Sequence, residues 1–185
     1  AGQGGPLVAG VCVYCASGPV PSRYLDLAAE LGTALGSSGH TLVSGGGNVS
    51  MMGALARSTR AAGGRTVGII PGHLVDREAA DTDSDELIVT ETMRERKRLM
   101  EARADGFITL PGGIGTLEEL FETWTGGFLG EHDKPVVLLD ADGFYQPMLR
   151  WLDSLHAEGF VSPAALERLL VAGSVADAVT LVTRQ

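Results

Sequence analysis

Two glycine-rich stretches and one arginine–glutamate pair carry the chemistry this sequence can do. Pro111-Gly-Gly-Ile-Gly-Thr116 follows an apolar run ending at Leu110 and opens a helical pattern. Gly45-Gly-Gly-Asn48 likewise lies between a strand pattern and a helical one. Glycines let the backbone turn tightly and aim N–H groups at a ligand, and a helix N-terminus adds partial positive charge. The expected guest of each loop is therefore a phosphate. A tight strand-to-helix turn without a ligand accounts for the same residues. Neither loop carries a standard nucleotide fingerprint. The Walker pattern is absent, and Gly-x-Gly-x-x-Gly fails at Ser50 in one loop and at Glu118 in the other. A mononucleotide or sugar phosphate fits these loops better than NAD or a nucleoside triphosphate.

Glu118, Glu119 and Glu122 follow the second loop at once. Thr116-x-x-Glu119 reads as a capping box, and acids in a first helical turn complement the helix dipole. Yet Leu117, Leu120, Phe121, Trp124 and Phe128 take one side of this helix. Glu119 and Thr123 are left on another side, from which a carboxylate can face a cleft. In Met93-Arg-Glu-Arg-Lys97, about 100° per residue puts Met93, Met100 and Ala104 on an inner stripe. Arg96 falls within that stripe and Lys97 close to it, whereas Arg94, Glu95, Arg98 and Glu101 face solvent. An inward guanidinium needs a partner, because an unpaired buried charge is costly. The partner is a structural carboxylate, a catalytic one, or a substrate phosphate or sugar.

The elements that must position these residues alternate regularly. Strands are expected at 7–15, 41–44, 66–70, 87–90, 107–110 and 136–139. Helices are expected at 22–38, 50–62, 93–104, 116–128, 145–158 and 175–183, and a polar loop at 73–85. Such alternation means βαβ units, hence an α/β fold of the Rossmann-like, doubly wound kind: a parallel sheet with helices on both faces, in three layers. Ligands of such sheets sit beyond the carboxyl ends of the strands. That rule gathers the stretch at Ala16, Ser17 and Gly18 with the two glycine loops.

The 185 residues fit a short tail at 1–6 and a single domain at 7–185. A formal charge of −9 disfavours nucleic acid and anionic membranes, so any anionic ligand needs a local site. No apolar run approaches the roughly 18 residues of a membrane span. No secretory signal pattern is present, so a cytoplasmic location is expected. Cys12 and Cys15 lie in an apolar strand pattern with an odd offset, which puts them on opposite faces as packing residues. The four histidines lack ligand spacing, so no zinc site is expected.

Together these segments resemble the LONELY GUY family of cytokinin riboside 5′-monophosphate phosphoribohydrolases, many of which carry an older lysine decarboxylase label. The family pattern Pro-Gly-Gly-x-Gly-Thr-x-x-Glu matches from Pro111 to Glu119, and Met-x-x-Arg-Lys matches from Met93 to Lys97. The Gly45–Asn48 loop and Met52-Gly53 also agree; Ser50 departs, standing where the family pattern has glycine. The resemblance implies hydrolysis of the N-glycosidic bond of an N6-modified AMP, without metal or organic cofactor. It implies Arg96 and Glu119 as the catalytic pair. Lys97, Gly112, Gly113, Gly115, Thr116 and Glu118 would line the nucleotide site, with Glu78 and Thr125 in contact with the nucleotide. Ser17, Gly18, Gly45, Gly46, Gly47 and Asn48 would complete the pocket, and the assembly would be a homodimer. A general AMP nucleosidase and a nucleotide or cofactor carrier without turnover are the alternatives. Decarboxylation does not fit, because pyridoxal chemistry needs a Schiff-base lysine. Lys97 sits in the arginine motif, and Lys134 precedes Pro135 at a strand entry.

Overall fold

The computed structural model describes residues 8–184. The expected tail at 1–6, and residue 7 of the expected first strand, lie outside the described residues. The elements are β1 (Gly10–Tyr14), α1 (Ser22–Ser37), β2 (Thr41–Ser44), α2 (Ser50–Ala61) and β3 (Arg65–Pro71). Next come β4 (Glu86–Thr90), α3 (Met93–Arg103), β5 (Gly106–Thr109), α4 (Ile114–Phe128) and β6 (Val136–Leu139). The chain closes with α5 (Gln146–Ala157), α6 (Pro163–Glu167), β7 (Leu169–Ala172) and α7 (Val175–Val182).

The seven strands form one sheet in the order β4-β3-β2-β1-β5-β6-β7, and every pairing is parallel. The chain winds outward from β1 to β4, crosses back through α3, and winds the other way from β5. The order therefore reverses between β1 and β5, and a doubly wound sheet opens its ligand crevice at that point. Strand alternation sends Val11, Val13 and Cys15 to one face and Cys12 and Tyr14 to the other. The first face packs Leu31 and Leu35 of α1, Met51 and Leu55 of α2, and Ala178 and Val182 of α7. The second packs Met100 of α3, Leu120 and Trp124 of α4, and Leu152 of α5. Helices cover both faces because the strands are apolar on both.

Three local expectations are corrected. The helix expected from Thr116 begins two residues earlier, with Gly113 at its N-cap, so Thr116 is not the capping residue of a capping box. The expected loop at 73–85 contains a bridge between Gly47 and Ala80, and its first two residues belong to a 3-10 turn at Gly72–Leu74. The short α6 and the edge strand β7 were not foreseen; β7 owes its form to pairing with β6, Leu169 opposite Val136 through Ala172 opposite Leu139.

Candidate active site

A cleft of about 470 Å³ opens at the β1/β5 reversal, where three strand-end segments meet. Residues after β1 supply Ser17 and Gly18, residues after β2 supply Gly45, and residues after β5 supply Gly112, Gly113, Gly115 and Thr116. Hydrogen bonds fix the strand ends around the cleft. Ala16 N–H donates to the Pro111 carbonyl (3.2 Å), and the Tyr145 hydroxyl donates to the Leu110 carbonyl (2.6 Å).

Arg96 enters from α3, and its side chain is 6% exposed. Its Nε donates to the Ile69 carbonyl at 3.0 Å, and its Nη2 to the Gly45 carbonyl at 2.6 Å and to Glu78 Oε2 at 2.9 Å. A buried guanidinium is tolerable only with such a set of acceptors. Nη1 meets the Met93 sulfur, at 3.8 Å, and Arg96 lines the cleft. Gly45 has a steric task here: a Cβ at that position would stand 2.1 Å from Nη2 of Arg96. Met93, expected on the inner stripe, is 37% exposed but still lines the cleft.

Glu119 lines the cleft from the second turn of α4. Burial pushes its carboxyl up to about 7; the Arg96 charge opposes the rise, and Glu118 and Glu78 add to it. Arg96 acts on Glu119 by charge alone, since its hydrogen bonds go to Glu78 and two carbonyls. Of the partners expected for Arg96, the one present is a carboxylate, and it is that of Glu78. A carboxyl poised near neutrality beside a fixed cation is apt for proton handling and for stabilising a cationic sugar.

The start of α4 forms the anion end of the cleft. Gly113 caps the helix without a side-chain hydrogen bond, and the first turn holds no acid. Its first N–H groups are thus free for a ligand, and no carboxylate neutralises the dipole. Gly112 lets this turn close on itself, as a Cβ there would meet Thr116 Oγ1 at 2.1 Å.

Other residues singled out in the sequence sit elsewhere. Gly46, Gly47 and Asn48 leave the cleft and lace down the loop that carries Glu78. Gly46 N–H donates to Ser44 Oγ, Asp81 N–H donates to the Gly46 carbonyl, and Asn48 N–H donates to the Glu78 and Ala79 carbonyls. Arg60 locks the far end of that loop through Asp81 at 2.8 Å. Lys97 points away from the cleft and pairs with Glu118 and Glu122, each at 2.5 Å, clamping α3 to α4. Glu118 touches the cleft as well, whereas Thr125 is exposed farther along α4. Burial pushes the Cys12 and Cys15 thiols up, which keeps them protonated and unreactive.

The apolar walls went unnoticed in the sequence. Val20, Tyr24, Met51, Met52 and Phe144 line the cleft. Tyr24 and Phe144 meet edge to face at 5.8 Å, and Arg23 stacks over the Tyr24 ring. The signal available for Phe144 was its place just beyond the carboxyl end of β6.

The profile of a family described as "Possible lysine decarboxylase" matches residues 52–182. The chain is 57% identical to the cytokinin riboside 5′-monophosphate phosphoribohydrolase of Mycobacterium tuberculosis, covering 91% of this chain and 90% of that one. It is 41% identical to the Arabidopsis thaliana cytokinin riboside 5′-monophosphate phosphoribohydrolase LOG3, covering 91% and 79% respectively. The fold also resembles a molybdenum cofactor binding protein of Rippkaea orientalis, with a TM-score of 0.68 at 23% identity over 98% of this chain and 97% of that one.

Proposed function

The chain belongs to the cytokinin riboside 5′-monophosphate phosphoribohydrolase family, and from that membership we propose that it hydrolyses the N-glycosidic bond of N6-modified AMP. The products are the free base and ribose 5-phosphate. The observation that carries the reading is Glu119, held near neutrality in a cleft that also contains the fixed guanidinium of Arg96 and the open N-terminus of α4.

The steps follow from that arrangement. The 5′-phosphate takes the free N–H groups at Gly113, Ile114 and Gly115, next to Thr116, and this grip positions the anomeric carbon. Cleavage of the C1′–N9 bond sends its electron pair to the base and leaves an oxocarbenium-like sugar. Ionised Glu119 stabilises that positive charge, orients the water whose oxygen bonds to C1′ and takes the proton that water loses, while the departing base takes a proton from solvent. Arg96, with Glu78 as its counter-ion, holds the sugar through Nη1. Its role is positioning rather than proton donation, since a guanidinium keeps its proton. Val20, Tyr24 and Phe144 give the base an apolar face to lie on.

Incubating the protein with AMP and with N6-isopentenyl-AMP tests the reading. Free base and ribose 5-phosphate are expected, faster from the modified nucleotide. Equal rates would make the protein a general AMP nucleosidase. Binding without release from either would make it a carrier; likeness to the cofactor-binding protein at 23% identity is a likeness of fold.

We extend the reading to a homodimer. Ile114, Phe128 and Leu129, on and just after α4, are 89%, 44% and 64% exposed, and Thr125 is exposed on the same helix. A second copy laid on that helix would bring Thr125 toward a site. Sedimentation at micromolar concentration is expected to give twice the chain mass. Among the described residues no helix is long and apolar enough to cross a membrane.

A further inference from the structure

A second chamber, of about 580 Å³, adjoins the cleft. It is lined by Leu25, Val49, Ser50, Leu74 and Arg77, and it shares Ser17, Gly18, Pro19 and Val20 with the cleft. The stretch 17–20 is thus a wall between two spaces: Val20 packs against the core, and Ser17, Gly18 and Pro19 are exposed. A Cβ at Gly18 would meet nothing within 4 Å. Among the described residues, the stretch makes one hydrogen bond: the Ser50 hydroxyl donates to the Gly18 carbonyl. Pro19 and Pro21 lock their own φ angles, which stiffens the wall.

The donor of that hydrogen bond is itself strained. Ser50 has φ +53°, in the left-handed region that glycine occupies freely and L-residues with a Cβ do not. Serine at this position gives up the relief that glycine would bring and keeps a hydroxyl that glycine lacks. We infer that Ser50 is a positioning residue: its hydrogen bond holds the 17–20 wall against the bound nucleotide and sets affinity, leaving the cleavage step to Arg96 and Glu119. The inference rests on the phosphoribohydrolase reading.

Three variants separate the hydroxyl from the strain. Ser50→Gly removes both, Ser50→Ala removes the hydroxyl alone, and Ser50→Asn keeps a side-chain donor on a residue that tolerates left-handed φ. One neutral hydrogen bond corresponds to about a three- to tenfold change. Ser50→Gly is expected to melt no lower than the parent. Its KM for AMP and for N6-isopentenyl-AMP should rise by about that factor, with kcat within about twofold. Ser50→Ala should show the same KM rise with a lower melting temperature. Ser50→Asn should return KM to within about twofold of the parent. Unchanged KM in Ser50→Gly overturns the inference, and so does a fall in kcat that matches the rise in KM. Failure of Asn to rescue overturns it too. If the parent protein releases no base, the hydrolase reading fails separately. The inference is then decided by calorimetric dissociation constants for the two nucleotides, where the same weakening is expected and an unchanged Kd refutes it.

Discussion

Replacing Glu119 by glutamine should make the protein more stable and much less active, and the size of the gain should depend on pH. Burial lifts the Glu119 carboxyl from an ordinary 4.5 to about 7. Between those values the unfolded chain has released the proton while the native one still holds it. The unfolded state therefore binds fewer protons, and wild-type stability falls as pH rises through this window. At 1.36 kcal/mol per pH unit the loss reaches about 3 kcal/mol by pH 8 and is about 0.8 kcal/mol at pH 5. Glutamine is neutral throughout and escapes the loss. An unfolding entropy of about 2.1 cal/mol/K per residue gives about 390 cal/mol/K for 185 residues. The variant should then melt about 8 °C above wild type at pH 8 and about 2 °C above it at pH 5. Fluorescence of Trp124 and Trp151 during a thermal ramp reads both values. Turnover of N6-isopentenyl-AMP should fall by about 10²–10⁴-fold while the nucleotide still binds. A melting difference that is absent or independent of pH would refute the placement of a strained carboxyl. Wild-type turnover would remove Glu119 from the mechanism.

Wild-type kcat/KM should fall about tenfold per pH unit below about pH 7, since the ionised Glu119 is the working form; a flat profile down to pH 5.5 contradicts this. Gly45→Ala should lower kcat/KM by about 100-fold or more with an unchanged circular dichroism spectrum, because the new Cβ displaces the guanidinium of Arg96. Normal activity in that variant would show that the guanidinium need not be fixed. Lys97→Met should cost at most about 1 kcal/mol in denaturant titration, as its partners Glu118 and Glu122 are each 51% exposed. The same variant should move the acidic limb of the rate profile to higher pH, because the Lys97 charge helps hold the Glu119 carboxyl down.

The α/β alternation was legible because strands buried on both faces read as continuous apolar runs, such as Val136–Leu139. The inward placement of Arg96 followed from helical period, and the meeting of loops followed from parallel strand direction. What failed was non-local. The partner of Arg96 is Glu78, 18 residues away on a loop without period, and no spacing rule connects them. Thr116-x-x-Glu119 matches a capping box, but Gly113 was free to start the helix sooner. The Gly45–Asn48 loop looked like a phosphate cradle because composition does not tell which acceptors its N–H groups meet. Here Asn48 N–H meets the Glu78 and Ala79 carbonyls. Lys97 lies near the inner stripe as its angle implies, with its side chain 15% exposed, but two carboxylates on α4 rather than the cleft take its ammonium.

The reversal of strand order has a consequence for a chain still leaving the ribosome. β1 lies between β2 and β5, so until residues 106–109 emerge, one edge of β1 is bare. Arg96 and its acceptors at Gly45, Ile69 and Glu78 all precede that point, whereas Glu119 and the anion-binding turn come after it. A nascent chain therefore has Arg96 and its counter-ion Glu78 well before it has Glu119 to face them. Hydrolysis is among the last properties acquired during synthesis, and base release from a series of stalled chains would time the closing of the sheet.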